Sequence, residues 1–118
     1  MSRVIIATLA GLVLTPVCAS AHAILVQSKP PTGASIPAGA LDMSFRYNSR
    51  IDRVRSRLVL TSPDHRQSVL KITPSGAPDT LDANVALTAP GAYVVRWQVL
   101  AIDGHITRGD VPFTVTDH

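Results

Sequence analysis

Apolar residues recur at every second position through residues 41–47, and that period commits the chain to β-structure. Leu41, Met43, Phe45 and Tyr47 fall on one face, while Asp42, Ser44 and Arg46 fall on the other. Tyr93, Val95 and Trp97 repeat the alternation further on. A helix needs apolar residues three and four apart, and no useful length of chain after residue 21 supplies that spacing. Nine prolines and seven glycines punctuate the sequence. They separate expected strands at residues 24–27, 41–47, 57–61, 68–72, 83–87, 93–101 and 111–116. The connections carry turn chemistry: Pro30-Pro31-Thr32-Gly33, Ser62-Pro63-Asp64-His65, the polar stretch 73–82, and Ala89-Pro90-Gly91. About seven short strands at this spacing predict an all-β domain, a Greek-key sandwich or closed barrel. Trp97 is the expected core anchor, and the parity of its own strand puts Met43 in the core.

Residues 1–21 read differently. Arg3 is followed by an apolar run, VIIATLAGLVL, and then by Ala19-Ser20-Ala21. A positive start, an apolar stretch and small residues at a cut site make a secretory signal peptide. The run falls short of the roughly 20 residues that span a bilayer, so a membrane anchor fits less well. Lipid attachment at Cys18 is disfavoured by Pro16 and Val17 just before it. Cutting after Ala21 leaves one domain, residues 22–118, expected to be exported and soluble, with no membrane span. It also removes the only cysteine, so no disulfide is available to the mature fold.

The pI near 9.6 rests on a formal net charge of only +3. Arg46, Arg50, Arg53, Arg55 and Arg57 cluster, but aromatic residues are not interleaved among them. With export, that argues against nucleic acid and for a solvated basic face.

The chemistry lies at two distant points. Cutting after Ala21 makes His22 the first residue. Its α-amine and ring Nδ1 then close a six-membered chelate ring on one ion. Asp103-Gly104-His105 supplies a carboxylate and an imidazole two residues apart, on one side of an extended segment. Three nitrogens and one oxygen fill the equatorial plane that Cu(II) prefers, and Cu(II) leads the affinity order of divalent first-row metals. Zinc accepts the same donors but favours a tetrahedron. His22, Asp103 and His105 are therefore the candidate ligands for one Cu(II) per chain. His65, in a turn, and His118, at the chain end, are not expected to ligate. Without cysteine, and with Met43 in the core, the mature chain offers Cu(I) no soft donor.

These residues resemble the CopC-like periplasmic copper-resistance proteins. The start, His22-Ala23 with Ser28-Lys29-Pro30 and Gly33-Ala34, is similar to the family's opening pattern. So is the later run: Gly91-Ala92-Tyr93-Val94-Val95-Arg96-Trp97, Asp103-Gly104-His105, Gly109, and Phe113-Thr114-Val115. The resemblance implies an immunoglobulin-like sandwich, Cu(II) ligation by His22, Asp103 and His105, and a membrane copper importer of the CopD type as a partner. The sequence departs from the family at Phe45-Arg46-Tyr47-Asn48-Ser49-Arg50, which is basic where many relatives are acidic, and it lacks the methionine-rich loop of some relatives.

Other classes remain open on sequence. A metal-free adhesion module needs no role for the histidines. A copper monooxygenase also uses a terminal histidine, but completes its site with a second histidine and not a nearby Asp-x-His. Cutting after Ala19 instead would leave His22 third from a free amine, another Cu(II)-binding arrangement. No catalytic role is expected.

Overall fold

The computed structural model describes residues 22–74 and 76–117. The expected signal peptide with its cut site, and His118, lie outside the described residues. Within them the chain is all β, in eight strands: β1 (Leu25–Lys29), β2 (Ser35–Pro37), β3 (Gly39–Tyr47), β4 (Ile51–Thr61), β5 (Gln67–Val69), β6 (Thr80–Leu87), β7 (Gly91–Ala101) and β8 (Ile106–Thr116). They form a three-stranded sheet, β1-β3-β6, packed on a five-stranded sheet, β2-β8-β7-β4-β5. All the pairings are antiparallel except β2 with β8.

Alternation builds the core as the sequence suggests. Met43, Phe45 and Tyr47 of β3 point inward from one sheet, and Tyr93, Val95, Trp97 and Val99 of β7 from the other; all are buried. Burying each such large apolar side chain contributes about 1.5–3 kcal/mol. Across the sandwich, Tyr47 meets Trp97 edge-on, with ring centroids 5.3 Å apart. On β7 and β8, the directly paired Tyr93 and Phe113 stack at 5.5 Å.

The strands differ from expectation where the period is interrupted. β2 is only three residues long and ends in Pro37. A proline is tolerated there because the strand lies at a sheet edge. β4 begins at Ile51, ahead of the expected residue 57. Asp52 pairs with Leu100 and Arg57 with Gln98, so four residues of β4 stand opposite Val99 alone. This bulge breaks the alternation and leaves Val54 94% exposed. Ser56 holds its base, donating to Asp52 O at 2.6 Å and accepting from Leu100 N at 3.1 Å.

Arg53 departs from the solvated face expected of the arginine cluster. Its guanidinium donates to Pro74 O, Ala77 O and Thr80 O, tying the bulge to the loop before β6.

Among the described residues, three buried side-chain polar atoms lack a partner: the Tyr47 hydroxyl, Ser49 Oγ and Arg53 Nε. The Tyr47 hydroxyl is buried without a hydrogen bond, and burial pushes its phenol far above the usual range. Tyr47→Phe removes that unsatisfied group while keeping the ring contact with Trp97. The variant should be at least as stable as the parent, by up to about 1 kcal/mol. Urea denaturation followed by Trp97 fluorescence checks this, and a loss of more than about 1 kcal/mol would reveal a buried partner for the hydroxyl.

Candidate metal centre

Three segments meet at one end of the sandwich: the residues before β1, the β3–β4 loop, and the β7–β8 turn. Asn48, in the loop, grips the first segment twice. Its side-chain oxygen accepts from Ile24 N at 2.8 Å, and its backbone N donates to Ile24 O at 3.0 Å. Thr107 of β8 donates its hydroxyl to Ala23 O at 2.7 Å, and the Ala23 side chain is fully buried. The backbone on the C-terminal side of His22 is thus anchored to two elements, which fixes where His22 emerges.

The β7–β8 turn presents the other two candidates. Ala101 N donates to His105 O at 2.7 Å, and Gly104 N donates to Ala101 O at 2.8 Å. Gly104 has φ +94°, a conformation that side-chain-bearing residues rarely adopt. The segment is therefore a tight turn rather than the extended stretch expected from the i, i+2 spacing. The convergence of Asp103 and His105 arises in a different way. The Asp103 carboxylate accepts from His105 N at 3.2 Å through one oxygen, and its other oxygen lies 2.6 Å from His105 Nδ1.

The His22 ring then lies against the His105 ring, with centroids 4.9 Å apart and planes inclined by 66°. His22 and His105 are exposed, and the Asp103 side chain is partly so, at 28%. The structure brings His22 to His105 and Asp103 to His105. Among the described residues, however, no cluster of three His, Cys, Asp or Glu side chains is arranged as a finished metal cage. Here His22 follows Ala21, so its nitrogen is a peptide nitrogen and the expected amine donor is not yet formed.

The spacing nonetheless suits a small ion. Donors about 2.0 Å from a metal, at right angles to each other, stand about 2.8 Å apart. The 2.6 Å separation between the Asp103 carboxylate and His105 Nδ1 is close to that, so both can serve one ion once the His105 ring turns away from their in-line contact. Two imidazoles on adjacent positions of one ion place their ring centres about 4.4 Å apart by the same geometry, near the observed contact.

The electrostatics keep the carboxylate available. Partial desolvation pushes the Asp103 carboxyl up. The hydrogen bonds from the His105 ring and backbone, with the attraction of that ring, outweigh it and hold the group below its usual range. Asp103 is therefore an anion throughout the neutral range. The cleft of about 380 Å³ beside β4 and β5, lined by Arg53, Val69, Leu70 and Pro74 among others, contains none of the three candidates. His65 lies far along the chain in the Ser62–Arg66 turn, at φ 67°, where His65 N donates to Ser62 O.

Asn48 and Thr107 are the residues that sequence reasoning did not find. Each acts on a backbone atom distant in sequence, and neither belongs to a ligand motif. The nearest signal is that Thr107 lies two residues beyond His105.

Comparison with known proteins places this arrangement. A family model described as the CopC domain matches residues 25–116. The crystal structure of CopC from Methylosinus trichosporium OB3b superimposes with a TM-score of 0.75 at 25% identity, covering 82% of this chain and 96% of that one. PcoC, a methionine-rich copper resistance protein from Escherichia coli, has the same fold, with a TM-score of 0.63 at 21% identity over 80% of this chain and 99% of its own. Protein YobA of Escherichia coli K12 is 27% identical over 98 residues, 80% of this chain and 79% of that protein. With nearly all of its described residues spanned by the family model, the chain belongs to the CopC family.

Proposed function

We propose that this chain is an exported Cu(II) carrier of the periplasm, with one mononuclear site formed by the amine and ring of a mature His22, by Asp103 and by His105. The observation that carries this is the cluster at the end of the sandwich. The His22 ring rests 4.9 Å from that of His105, and the Asp103 carboxylate lies 2.6 Å from His105 Nδ1. The names of the relatives, CopC and a copper resistance protein, point to the same ion. Copper is the cargo, and the chain's own residues do the work of holding it. Cleavage after Ala21 frees the amine, Thr107 and Asn48 aim His22, and Asp103 supplies the negative charge. Nitrogen and oxygen donors favour the oxidised ion. PcoC is described as methionine-rich, whereas this chain has two methionines, one in the leader and Met43, which is buried. That contrast favours Cu(II) over Cu(I). A holding role, without catalysis, follows from a site in which the anionic carboxylate resists reduction of the ion.

The experiment is a Cu(II) titration of protein that begins at His22. One equivalent should give a type 2 electron-paramagnetic spectrum with nitrogen couplings, and His65→Ala should leave it unchanged. A spectrum altered by that substitution, or more than one tight equivalent, overturns the single-site assignment. A chain that takes up no copper is a metal-free module.

The site also sets a pH dependence. The amine and imidazole donors must be free of protons to bind. The carboxylate stays ionised below its usual range and does not limit binding until the solution is strongly acid. Apparent affinity should therefore fall steadily from pH 8 to pH 5, by about tenfold per unit for each proton displaced. A flat profile across that range, measured against a chelator with known proton competition, rules out the amine and imidazoles as ligands.

A further inference from the structure

The end of the sandwich that carries the candidate ligands also carries three of the six exposed large apolar side chains among the described residues. Ile24 is 53% exposed, Ile102 70% and Ile106 51%. Each lies within three residues of a candidate ligand, and the two segments that carry them are both joined to the β3–β4 loop. Ile24 is bonded through its backbone to Asn48, and Ile102 N donates to Arg50 O at 3.3 Å. Ile102 stands on the turn itself, and Ile106 is the next residue after His105, paired directly with Leu100. Strand alternation alone does not demand isoleucine at these exposed positions, which border water.

Two arginines at this end, Arg50 and Arg108, have no acid partner among the described residues. The Arg50 side chain is exposed and has no carboxylate partner among the described residues. Arg108, on the same outer face as Ile106, donates to the neutral Gln98 at 2.8 Å. Asp52, opposite Leu100, is paired with Arg55 at 3.8 Å, and Asp103 of the turn is the acid that the proposed function assigns to the metal. Branched apolar tips flanked by arginines suit a surface that is hydrocarbon below and negatively charged above.

We propose that this end docks onto an anionic lipid surface, and that copper loading strengthens the docking. The proposal rests on the copper site proposed above. Without metal, the Asp103 carboxylate faces the lipid charge and opposes the arginines. Cu(II) places positive charge beside that carboxylate. The docking end thus becomes more positive on loading, by at least the equivalent of one cation. A cation at an anionic membrane is worth about fivefold in partition, and that is the expected gain. The carrier would then rest on membrane when loaded and leave it when empty.

The test is co-sedimentation of protein beginning at His22, with and without one equivalent of Cu(II). The vesicles are an equal mixture of phosphatidylcholine and phosphatidylglycerol, or phosphatidylcholine alone. The spectrum of the copper is recorded on the same samples. Loaded protein should partition onto the mixed vesicles about fivefold more than empty protein, with no such gain on phosphatidylcholine. His105→Ala, given the same copper, controls for ions bound directly by the lipid and should show no gain. Ile102→Ser with Ile106→Ser should abolish the partition while keeping the copper spectrum. Arg50→Gln, a single surface change, should weaken it about fivefold. A full copper spectrum with equal partition of loaded and empty protein overturns the proposal alone, as does a double serine variant that binds like the parent. An absent copper spectrum overturns the reading on which the proposal rests.

Discussion

A chain extended by one glycine ahead of His22 should bind Cu(II) about a hundredfold more weakly than one that begins at His22. The reasoning follows from where the chain is fixed. Ala23 O is bonded to Thr107 and Ile24 is held by Asn48 at both its N and its O, so His22 cannot retreat to make room. Its ring already lies against His105. With the added glycine, the nitrogen of His22 becomes an amide, and using it requires removing an amide proton that the free amine does not carry. The new amine sits one residue further from Asp103 and His105, and the six-membered chelate is lost. Removing an outer-shell partner of a metal ligand alone costs roughly 10–100-fold in affinity, so losing an inner donor should reach or exceed the upper end. His105→Ala should cost at least as much, because it removes one donor and also the group that orders Asp103. Competition against a Cu(II) chelator gives the affinities, and the nitrogen couplings in the spectrum report the donor count. Equal affinity for the extended and native termini would show that the amine plays no part, leaving a site of side chains only.

The parts of this molecule that were legible in the sequence are those where one residue pattern has one physical solution. Residues 41–47 alternate without interruption, and the structure buries Met43, Phe45 and Tyr47 as that pattern requires. Trp97 is buried in the core as expected. The start of β4 was not legible, because four residues stand opposite one and the alternation is lost across the bulge. Arg53 looked like a surface charge for the same reason; its partners are three carbonyls more than twenty residues away. β2 is held by its pairing with β8 and not by its own composition. The candidate ligands could be named from chemistry, since a histidine after an expected cut site and an Asp-Gly-His are rare donors in a short chain. Their support could not. The Thr107 bond to Ala23 and the Asn48 bond to Ile24 join residues 84 and 24 positions apart, and a single sequence carries no record of such contacts. Even Asp103 and His105 converge through a turn and not through strand alternation.

Replacing Gly109 by alanine should destabilise the fold by about 3 kcal/mol, at the upper end of the usual cost of overpacking a core. Gly109 of β8 is paired directly with Trp97 of β7. A Cβ at position 109 would lie 2.4 Å from Trp97 Cζ2 and 2.6 Å from Cε2. Gly109 does not have a positive φ, so an alanine backbone is unstrained there and the collision with the indole is the whole effect. The indole cannot slide inward, because its edge contact with Tyr47 closes that direction across the sandwich. Either the ring rotates out of the core or the β7–β8 pairing opens. For a domain of this size, 3 kcal/mol corresponds to a fall in Tm of about 15 °C. Trp97 is the chain's only tryptophan, so its fluorescence reports both the unfolding and any displacement of the ring in the folded state. A variant within about 0.5 kcal/mol of the parent would mean that the slot is wider than the contact indicates. Trp97→Phe provides the decisive second arm, with unfolding of all four proteins followed by circular dichroism because this variant has no tryptophan. The smaller ring leaves room for the alanine methyl, so the double variant should be less destabilised than the two single costs summed, a coupling of about 1–2 kcal/mol. The collision also reaches the metal end. Thr107, which anchors Ala23, lies two residues before Gly109 on the same strand. Opening β8 there should loosen the hold on His22 and weaken copper binding in Gly109→Ala, with recovery in the double variant.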